Sequence, residues 1–255
     1  MNLESLPKFY SPKSPKLNDQ TPATGGVALT ITDVMAAQGM VQSKASLGFN
    51  LFLAKMGIQD PAPAIDGLMQ YALALKNPVL GKLSEKARGE VLPVLVQFAY
   101  ADYSRSAASK STCPHCEGKG VVREMQDVVK HPGVDGVDGV EATVKHEAVE
   151  VICQHCAGKG EVGTACRGCK GKGMVLDEKR TKLLGAPVRK VCGRCNGNRF
   201  SRLPTTLARA RIEKIIPDLT SYQWYSGYGD VIAVLVTKCW QEEAFAEVQL
   251  RKVTR

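Results

Sequence analysis

The sequence predicts a mainly α-helical fold that is interrupted by a cysteine-rich insertion. Three observations support this fold class. Apolar residues recur at helical spacings in the N-terminal and C-terminal parts of the chain. Between these parts the pattern Cys-x-x-Cys-x-Gly occurs four times. The segments that join the four copies are rich in valine and glycine, which is typical of strands and turns.

The composition of the chain predicts four parts. The first is a flexible tail, because four prolines and the pair Gly25-Gly26 leave little to pack. Helices follow on either side of the cysteine region, and those after it are expected to pack back on those before it. The predicted parts are the tail 1–28, an N-terminal helical part 29–110, the insertion 111–200 and the C-terminal helices 201–255.

Helix starts in the N-terminal part are marked by capping residues. Side-chain oxygens of Ser, Thr and Asp accept hydrogen bonds from free N–H groups in the first turn of a helix, and proline is tolerated there. Apolar residues at spacings of three and four follow each cap, which predicts one buried face per helix. The caps are Thr32-Asp33, Asp60-Pro61 and Ser84, and a further helical stretch starts near Ser43.

Eight of the nine cysteines belong to the four copies, which we call knuckles one to four. Four thiolates close the coordination sphere of a zinc ion and leave no position for water or substrate, so the expected cofactor is two structural Zn²⁺ ions. Redox exchange is the alternative for a single Cys-x-x-Cys, but four clustered pairs favour metal. The predicted ligands are Cys113 and Cys116, Cys153 and Cys156, Cys166 and Cys169, and Cys192 and Cys195.

The pairing of the knuckles is open from the sequence. The linkers between them contain 36, 9 and 22 residues, and three pairings are possible. The shortest linker suits knuckle two with knuckle three, which leaves one with four in a nested arrangement that we prefer. One with two and three with four also works, since each long linker can form a hairpin. His115 and His155 lie inside knuckles, but a better-placed cysteine follows each, so neither is expected to be a ligand.

The linkers predict strands. Val121 to Lys130 and Val140 to Ile152 are valine-rich and flank a glycine-rich turn at residues 131–139. Met174 to Leu184 and Pro187 to Val191 are expected to repeat this arrangement. A β-hairpin-rich insertion is therefore predicted.

The segment after knuckle four predicts a short basic helix at residues 205–216. Leu207, Ala210, Ile212, Ile215 and Ile216 are its apolar positions, and positive residues lie on its other faces. Such a helix fits a DNA major groove, although a solvated helix face is equally compatible with this composition. The candidate DNA-binding residues are Arg199, Arg202, Arg209, Arg211 and Lys214. A long amphipathic helix follows, with Cys239 on its apolar side as a core residue.

Several classes of function are excluded by the composition. No uncharged stretch approaches the roughly 18 residues needed to cross a bilayer, and no secretory segment is evident, so a cytoplasmic protein without membrane contact is expected. No nucleophile–base constellation appears, so no enzyme is predicted. The formal charge of +9 falls to +5 once eight thiolates and two zinc ions are counted, which makes the basic signal moderate.

The knuckles resemble the cysteine-rich domain of DnaJ-type co-chaperones, in which four such repeats bind two zinc ions in the nested pairing. The resemblance covers Cys113 to Arg199, and Arg199 stands where the last glycine is expected. The His-Pro-Asp motif of those proteins is missing, since the chain has His131-Pro132-Gly133. A zinc-dependent chaperone module is therefore the alternative function.

The whole chain is similar to the late-gene Q antiterminators of lambda-like phages. The resemblance rests on Thr32-Asp-Val-Met-Ala-Ala37, Phe98-Ala-Tyr-Ala-Asp-Tyr103, Cys192-Gly-Arg-Cys195 and Val253-Thr-Arg255, among other segments. It implies a transcription antiterminator that binds double-stranded DNA near a late promoter and engages host RNA polymerase holding its sigma factor. It also implies a bacterial host cytoplasm, and a homodimer is possible.

The resemblance further implies a helix-turn-helix whose two helices are separated by the zinc insertion. The helix that ends near Arg105 would be the first, and the helix 205–216 would be the DNA-reading one. Lambda-type members have two knuckles, which we expect to match knuckles one and four. The additional segment of this chain would then be Val121 to Lys190, with knuckles two and three.

Overall fold

The computed structural model describes residues 1–10, 31–131 and 143–254, which form two compact units. The first unit comprises Met1–Arg105 and Arg202–Arg255, and the second comprises Ser106–Ser201. The second unit is thus a continuous segment between two segments of the first. The fold is mainly helical, as the sequence predicts.

The N-terminal part of the first unit is built from capped helices. Asp60 Oδ1 accepts a hydrogen bond from the N–H of Ala62 (2.7 Å), and Ser84 Oγ accepts one from Ala87 (3.3 Å). These contacts satisfy N–H groups that have no partner within the helix. The helices are α1 (Pro7–Tyr10), α2 (Ile31–Lys44), α3 (Ser46–Lys55), α4 (Ala62–Ala74), α5 (Pro78–Gly81) and α6 (Glu85–Tyr103), preceded by a 3-10 turn at Leu3–Ser5.

The prediction of a flexible tail is wrong for the first ten residues. The 3-10 turn and α1 occupy this segment, and the side chains of Leu3 and Leu6 are buried. The N-terminal amine donates to Thr254 Oγ1 (2.7 Å), and the N–H of Leu3 donates to Glu247 Oε2 (2.6 Å). Apolar burial and these bonds outweigh the entropy of the short segment. Residues 11–28 lie outside the described part of the chain.

The second unit contains three antiparallel pairs of strands and one helix among its described residues. The strands pair β1 with β4, β2 with β3, and β5 with β6. The predicted glycine-rich turn falls on residues 131–139, of which 132–139 lie outside the described residues. The elements are β1 (Lys110–Thr112), β2 (Val121–His131), β3 (Thr143–Ile152), β4 (Glu161–Gly163), β5 (Met174–Leu176), α7 (Glu178–Leu184) and β6 (Arg189–Val191).

The prediction of extended structure from Met174 to Leu184 is wrong after Leu176, because α7 begins two residues later. Asp177 caps this helix, with Oδ1 accepting from the N–H of Arg180 (3.3 Å). Gly185 ends it in the left-handed conformation (φ 67°), which glycine adopts without steric cost. Local capping therefore decides the structure here.

The C-terminal part of the first unit is a short helix followed by a long one. Thr220 forms a capping box with Gln223 at the start of the long helix, and a π-helical segment interrupts its first turns. The elements are α8 (Thr206–Glu213), α9 (Ser221–Gln223), the π segment Trp224–Tyr228 and α10 (Gly229–Val253).

Two apolar clusters hold the first unit together. The larger joins α3, α4, α6, α8 and α10, with Trp224 buried among them. The smaller joins the N-terminal segment, α2, α3 and the end of α10. Cys239 is fully buried in the larger cluster, which confirms its prediction as a core residue, and burial raises the pKa of its thiol to about 12.

Helices α3, α6 and α10 are also joined by a polar contact. Tyr103 Oη donates a hydrogen bond to Glu243 Oε2 (2.6 Å), and Lys55 Nζ lies 3.0 Å from the same carboxylate oxygen. Burial, together with this carboxylate, raises the pKa of Tyr103. Among the described residues, no helix is both long enough and apolar enough to cross a membrane.

Candidate metal centres and nucleic-acid interface

Knuckles one and two form the first group of four cysteines. The Sγ atoms of Cys113, Cys116, Cys153 and Cys156 all lie within 4.8 Å of one another, and all four residues are buried. Cys113 and Cys153 are 3.9 Å apart, and Cys116 and Cys156 are 3.7 Å apart. Four sulfurs bound tetrahedrally at about 2.3 Å from zinc would lie about 3.8 Å apart. The group therefore fits a single tetrahedral ion.

Knuckles three and four form an equivalent second group. Cys166 and Cys192 have their sulfurs 4.0 Å apart, and Cys169 and Cys195 have theirs 3.7 Å apart. All four are buried and lie within 4.8 Å of one another. All nine cysteines are free thiols, and sulfur separations near 4 Å are about twice the length of a disulfide bond. Both groups are thus suited to metal binding rather than to disulfides.

The preferred nested pairing is wrong, and the structure shows the adjacent alternative. The register of β2 and β3 places Val121 opposite Ile152, so knuckle one, which ends just before β2, meets knuckle two, which begins just after β3. Met174 opposite Val191 has the same effect for knuckles three and four. The nine-residue linker, which suggested the nested pairing, instead contains β4, which pairs with β1.

Backbone N–H groups point at sulfur in the knuckles, from a glycine four residues after the last cysteine. Gly120, Gly160 and Gly173 each donate to the last cysteine of their knuckle, at 3.2, 3.3 and 3.1 Å. All three have positive φ angles, between 70° and 80°. Arg199 takes the corresponding position in knuckle four with φ 71°, a conformation that is costly for a residue with a Cβ.

Hydrogen bonds to sulfur favour the thiolate form of one cysteine in each site. Backbone hydrogen bonding from Cys169 outweighs burial and lowers the pKa of the Cys166 thiol to about 7. Burial opposes ionisation of Cys116, yet the N–H of Gly120 and the neighbouring thiols lower its pKa to about 7. Burial, together with the neighbouring thiols, raises the pKa of the Cys156 and Cys195 thiols to about 11. Each site thus contains one cysteine that ionises near neutral pH and one that gives up its proton only when a cation binds.

His115 and His155 do not belong to either group of four sulfurs. Their rings stack on each other with centroids 5.6 Å apart, and both residues are exposed. The four cysteine sulfurs beside them already provide a complete tetrahedral set.

The candidate DNA-binding residues fall in different settings. Arg199 belongs to the second unit, and the other four belong to the first. The guanidinium of Arg202 binds the carboxylate of Asp102, with Nη2 at 2.7 Å and Nε at 2.8 Å from Oδ2. Arg209 Nε donates to Glu213 Oε1 (2.7 Å). The remaining two candidates, Arg211 and Lys214, are exposed.

Helix α8 is shorter than predicted and buries a different face. It ends at Glu213, and Ala208 and Ile212 are its buried residues. Leu207 and Ala210, which were expected to be buried, are exposed. Leu207 and Arg211 instead line one side of an open cavity of about 390 Å³, whose other side includes Phe98 of α6.

Asp102 is a residue that sequence reasoning missed. Its side chain is only 3% exposed, and besides Arg202 it accepts a hydrogen bond from the N–H of Leu203 (2.8 Å). A buried carboxylate requires such partners, so Asp102 holds the chain that leads into α8 against the end of α6. An acidic residue within a mainly apolar helix stretch was the available signal.

These features define a mainly helical protein with a cysteine-rich unit that contains two sites suited to metal. The family model for antitermination protein Q matches residues 23–107 and 160–247. The chain is 68% identical, over the full length of both chains, to the prophage antitermination protein Q homolog QuuQ of Escherichia coli K12. It is 35% identical to antitermination protein Q of Salmonella phage P22 and 34% identical to that of Escherichia phage lambda, again with complete coverage of both chains. The chain therefore belongs to the antitermination protein Q family.

The matched segments correct the prediction of the additional region. The family model includes knuckles three and four and leaves out residues 108–159, which contain knuckles one and two. The expectation that knuckles one and four match the family, with Val121 to Lys190 added, is therefore wrong. The segment that the family model leaves out contains all four cysteines of the first group.

Proposed function

We propose that this protein is a phage-type transcription antiterminator. It binds double-stranded DNA near a late promoter and modifies host RNA polymerase, still holding its sigma factor, so that the enzyme reads through terminators. The observation that carries this proposal is the end-to-end similarity to proteins named antitermination protein Q. The proposed site of action is the bacterial cytoplasm, and the protein acts by binding rather than by catalysis.

The DNA-reading element in this proposal is a helix-turn-helix made of α6 and α8, with the second unit between them in sequence. Two contacts support it. Ala208 and Ile212 anchor α8 in the same apolar cluster as α6, and the Asp102–Arg202 ion pair fixes the approach to α8. A recognition helix needs such a rigid support to hold its side chains against base edges.

The candidate residues have different roles in this proposal. Arg211 and Lys214 are exposed and available for DNA, whereas Arg209 must exchange its bond with Glu213 for a phosphate or a base. Arg202 positions the helix through Asp102 and keeps an exposed edge for a phosphate. Arg199 contributes charge from the second unit.

We also propose that each four-cysteine group binds one structural Zn²⁺ ion. Four buried thiolates with tetrahedral separations suit zinc, although the same sulfur set also binds iron. A closed set of this kind supplies folding energy and leaves no open position for substrate. Elemental analysis of the purified protein should give two zinc atoms per chain, and iron in their place would contradict the proposal.

Transcription in vitro tests the proposed function. A template with a late promoter and a downstream terminator is transcribed by host RNA polymerase, with and without the protein. We expect read-through to rise only when the DNA site is present, and a matched template with a scrambled site is the control. An unchanged terminated fraction on the correct template would refute the proposal. Light scattering with and without the DNA fragment tests whether a homodimer forms.

The chaperone alternative has lost its structural support. It implied the nested pairing of knuckles, and the structure has adjacent pairing instead. Suppression of aggregation of an unfolded protein, without affinity for DNA, would restore it.

A further inference from the structure

The positive charge of the chain is concentrated in one part of the second unit. Residues 164–201, which we call the second cysteine module, contain ten Lys and Arg but only two Asp and Glu, a formal net charge of +8. Residues 106–163, which we call the first cysteine module, contain six Lys and Arg and nine Asp and Glu, a formal net charge of −3. The whole chain carries +9. Even with four thiolates and one zinc ion, the second cysteine module retains about +6.

These cations face solvent. All ten are exposed, and among the ion pairs of the described residues only Lys190 has an acidic partner, Asp177 at 3.7 Å. The ten are Arg167, Lys170, Lys172, Lys179, Arg180, Lys182, Arg189, Lys190, Arg194 and Arg199. Uncompensated charge of this density destabilises a small module by self-repulsion, so a partner that neutralises it gains free energy.

The cations in and beside α8, by contrast, are partly neutralised by acidic side chains. Two of the four candidates in the first unit, Arg202 and Arg209, are held by carboxylates within their own unit. A cation without such a partner can contact a phosphate oxygen without first breaking an ion pair. The second cysteine module offers more of them than the proposed reading helix does.

We propose that the second cysteine module binds the sugar–phosphate backbone of duplex DNA. This inference rests on the proposed function, and it assigns helix α8 and the second cysteine module different roles in DNA binding. Helix α8 reads bases, while the module supplies affinity that does not depend on sequence. Its two strands, α7 and two knuckles carry the cations on a scaffold fixed by four sulfur ligands, which limits the entropy lost on binding.

The acidic charge of the first cysteine module makes nucleic acid an unsuitable partner for it. Its hairpin strands β2 and β3 carry charges of both signs, including the cross-strand pair Arg123–Glu150 at 3.2 Å. It therefore provides a matched control inside the same protein.

The test compares two triple variants of the full-length, zinc-loaded protein. In the first, Lys179→Ala, Arg180→Ala and Lys182→Ala remove three charges from α7. In the second, Lys119→Ala, Lys145→Ala and Lys159→Ala remove three exposed charges from the first cysteine module. Affinity for a late-promoter duplex and for an unrelated duplex is measured over a series of salt concentrations. Zinc content and thermal melting show that both variants are folded.

We expect the first variant to bind both duplexes more weakly and to lose about 2–3 units from the slope of log affinity against log salt. The second variant should keep the wild-type slope. Equal losses of slope in both variants, or an unchanged slope in the first variant, would overturn this inference. The proposed function would still stand if the wild-type protein binds DNA. Stronger binding to single-stranded RNA of the same sequence would also overturn it. Failure of the wild-type protein to bind DNA or to promote read-through would instead refute the proposed function.

Discussion

At the scale of single residues, Arg199 combines a backbone cost with a positive charge that we propose contacts DNA. Three knuckles place glycine at the position that donates its N–H to the last cysteine, and the fourth places Arg199 there with φ 71°. A Cβ on Gly173 would lie 3.1 Å from Arg199 Cγ, so the arginine side chain lies close to that glycine. Strained backbone conformations of this kind cluster at functional sites.

We predict opposite effects of Arg199→Gly on stability and on binding. The variant should resist zinc chelation better, by up to about 1 kcal/mol, because glycine adopts positive φ without steric cost. The slope of log DNA affinity against log salt should also fall by about one unit. Chelator competition and the salt titration measure the two effects. Asn196→Gly, at another position of positive φ (47°), removes no charge and should leave DNA binding unchanged.

The sequence predicts which cysteines form the two groups of four, but not which knuckles share a group. All eight cysteines in the Cys-x-x-Cys pattern occur in the two buried groups. Which four meet depends on strand register, because Val121 opposite Ile152 brings Cys116 and Cys153 to one end of a hairpin. Linker length suggested the opposite pairing, since it measures only the entropy of closing a loop and not the strands within it.

At the scale of elements, the crossing of α3 and α10 depends on Gly48. A Cβ added at this position would lie 1.9 Å from the carbonyl oxygen of Glu242, an atom of the α10 backbone. The two helix backbones therefore touch at this point. Neighbouring side chains cannot relieve such a clash by changing rotamer, so the helices would have to separate.

Gly48→Ala is therefore predicted to destabilise the first unit by about 3 kcal/mol or more, because overpacking against backbone shifts a whole helix. Urea denaturation followed by circular dichroism measures the loss. Gly39→Ala in α2 is the matched control, since nothing lies within 4 Å of its added Cβ. It should be neutral or stabilising by up to about 1 kcal/mol, because alanine favours a helix. Similar midpoints for the two variants would show that the crossing is not tight.

The elements also show where sequence patterns mislead. Helix α7 has clear caps in Asp177 and Gly185, yet its leucines Leu183 and Leu184 are 84% and 65% exposed. It has no apolar face, so the periodicity that identified the long helices was absent. Leu207 of α8 is the opposite case. Its helical spacing predicts burial, yet it is exposed at the cavity between α6 and α8. Periodicity predicts burial only where another element covers the face.

At the scale of the whole molecule, the two metal sites are predicted to load independently. Each draws all four ligands from its own two knuckles. The double variant Cys113→Ser with Cys195→Ser removes one ligand from each site and should bind no zinc tightly. The double variant Cys113→Ser with Cys153→Ser damages only the first site and should keep one ion. Nested pairing would reverse these results, and elemental analysis after dialysis distinguishes them.

Most of the first cysteine module lies outside the part of the chain that the family model matches. Residues 108–159 lie outside the family model, and all four of their cysteines serve the first site. Strands β1 and β4 flank this site, with Thr112 directly opposite Glu161 in antiparallel register. A two-residue Asn-Gly turn can join two such residues as a hairpin.

We predict that replacing residues 113–160 with Asn-Gly gives a folded protein with one zinc ion. The deleted segment contains five Lys and Arg against eight Asp and Glu, so the variant is three charges more basic. Because the second cysteine module and α8 are both retained, its affinity for the late-promoter duplex should be equal to or greater than that of the full chain. Thermal melting, zinc analysis and salt titration measure these outcomes. A folded variant that binds one zinc ion but no DNA would show that the first cysteine module contributes to the DNA interface, and that the charge of the second cysteine module is insufficient alone.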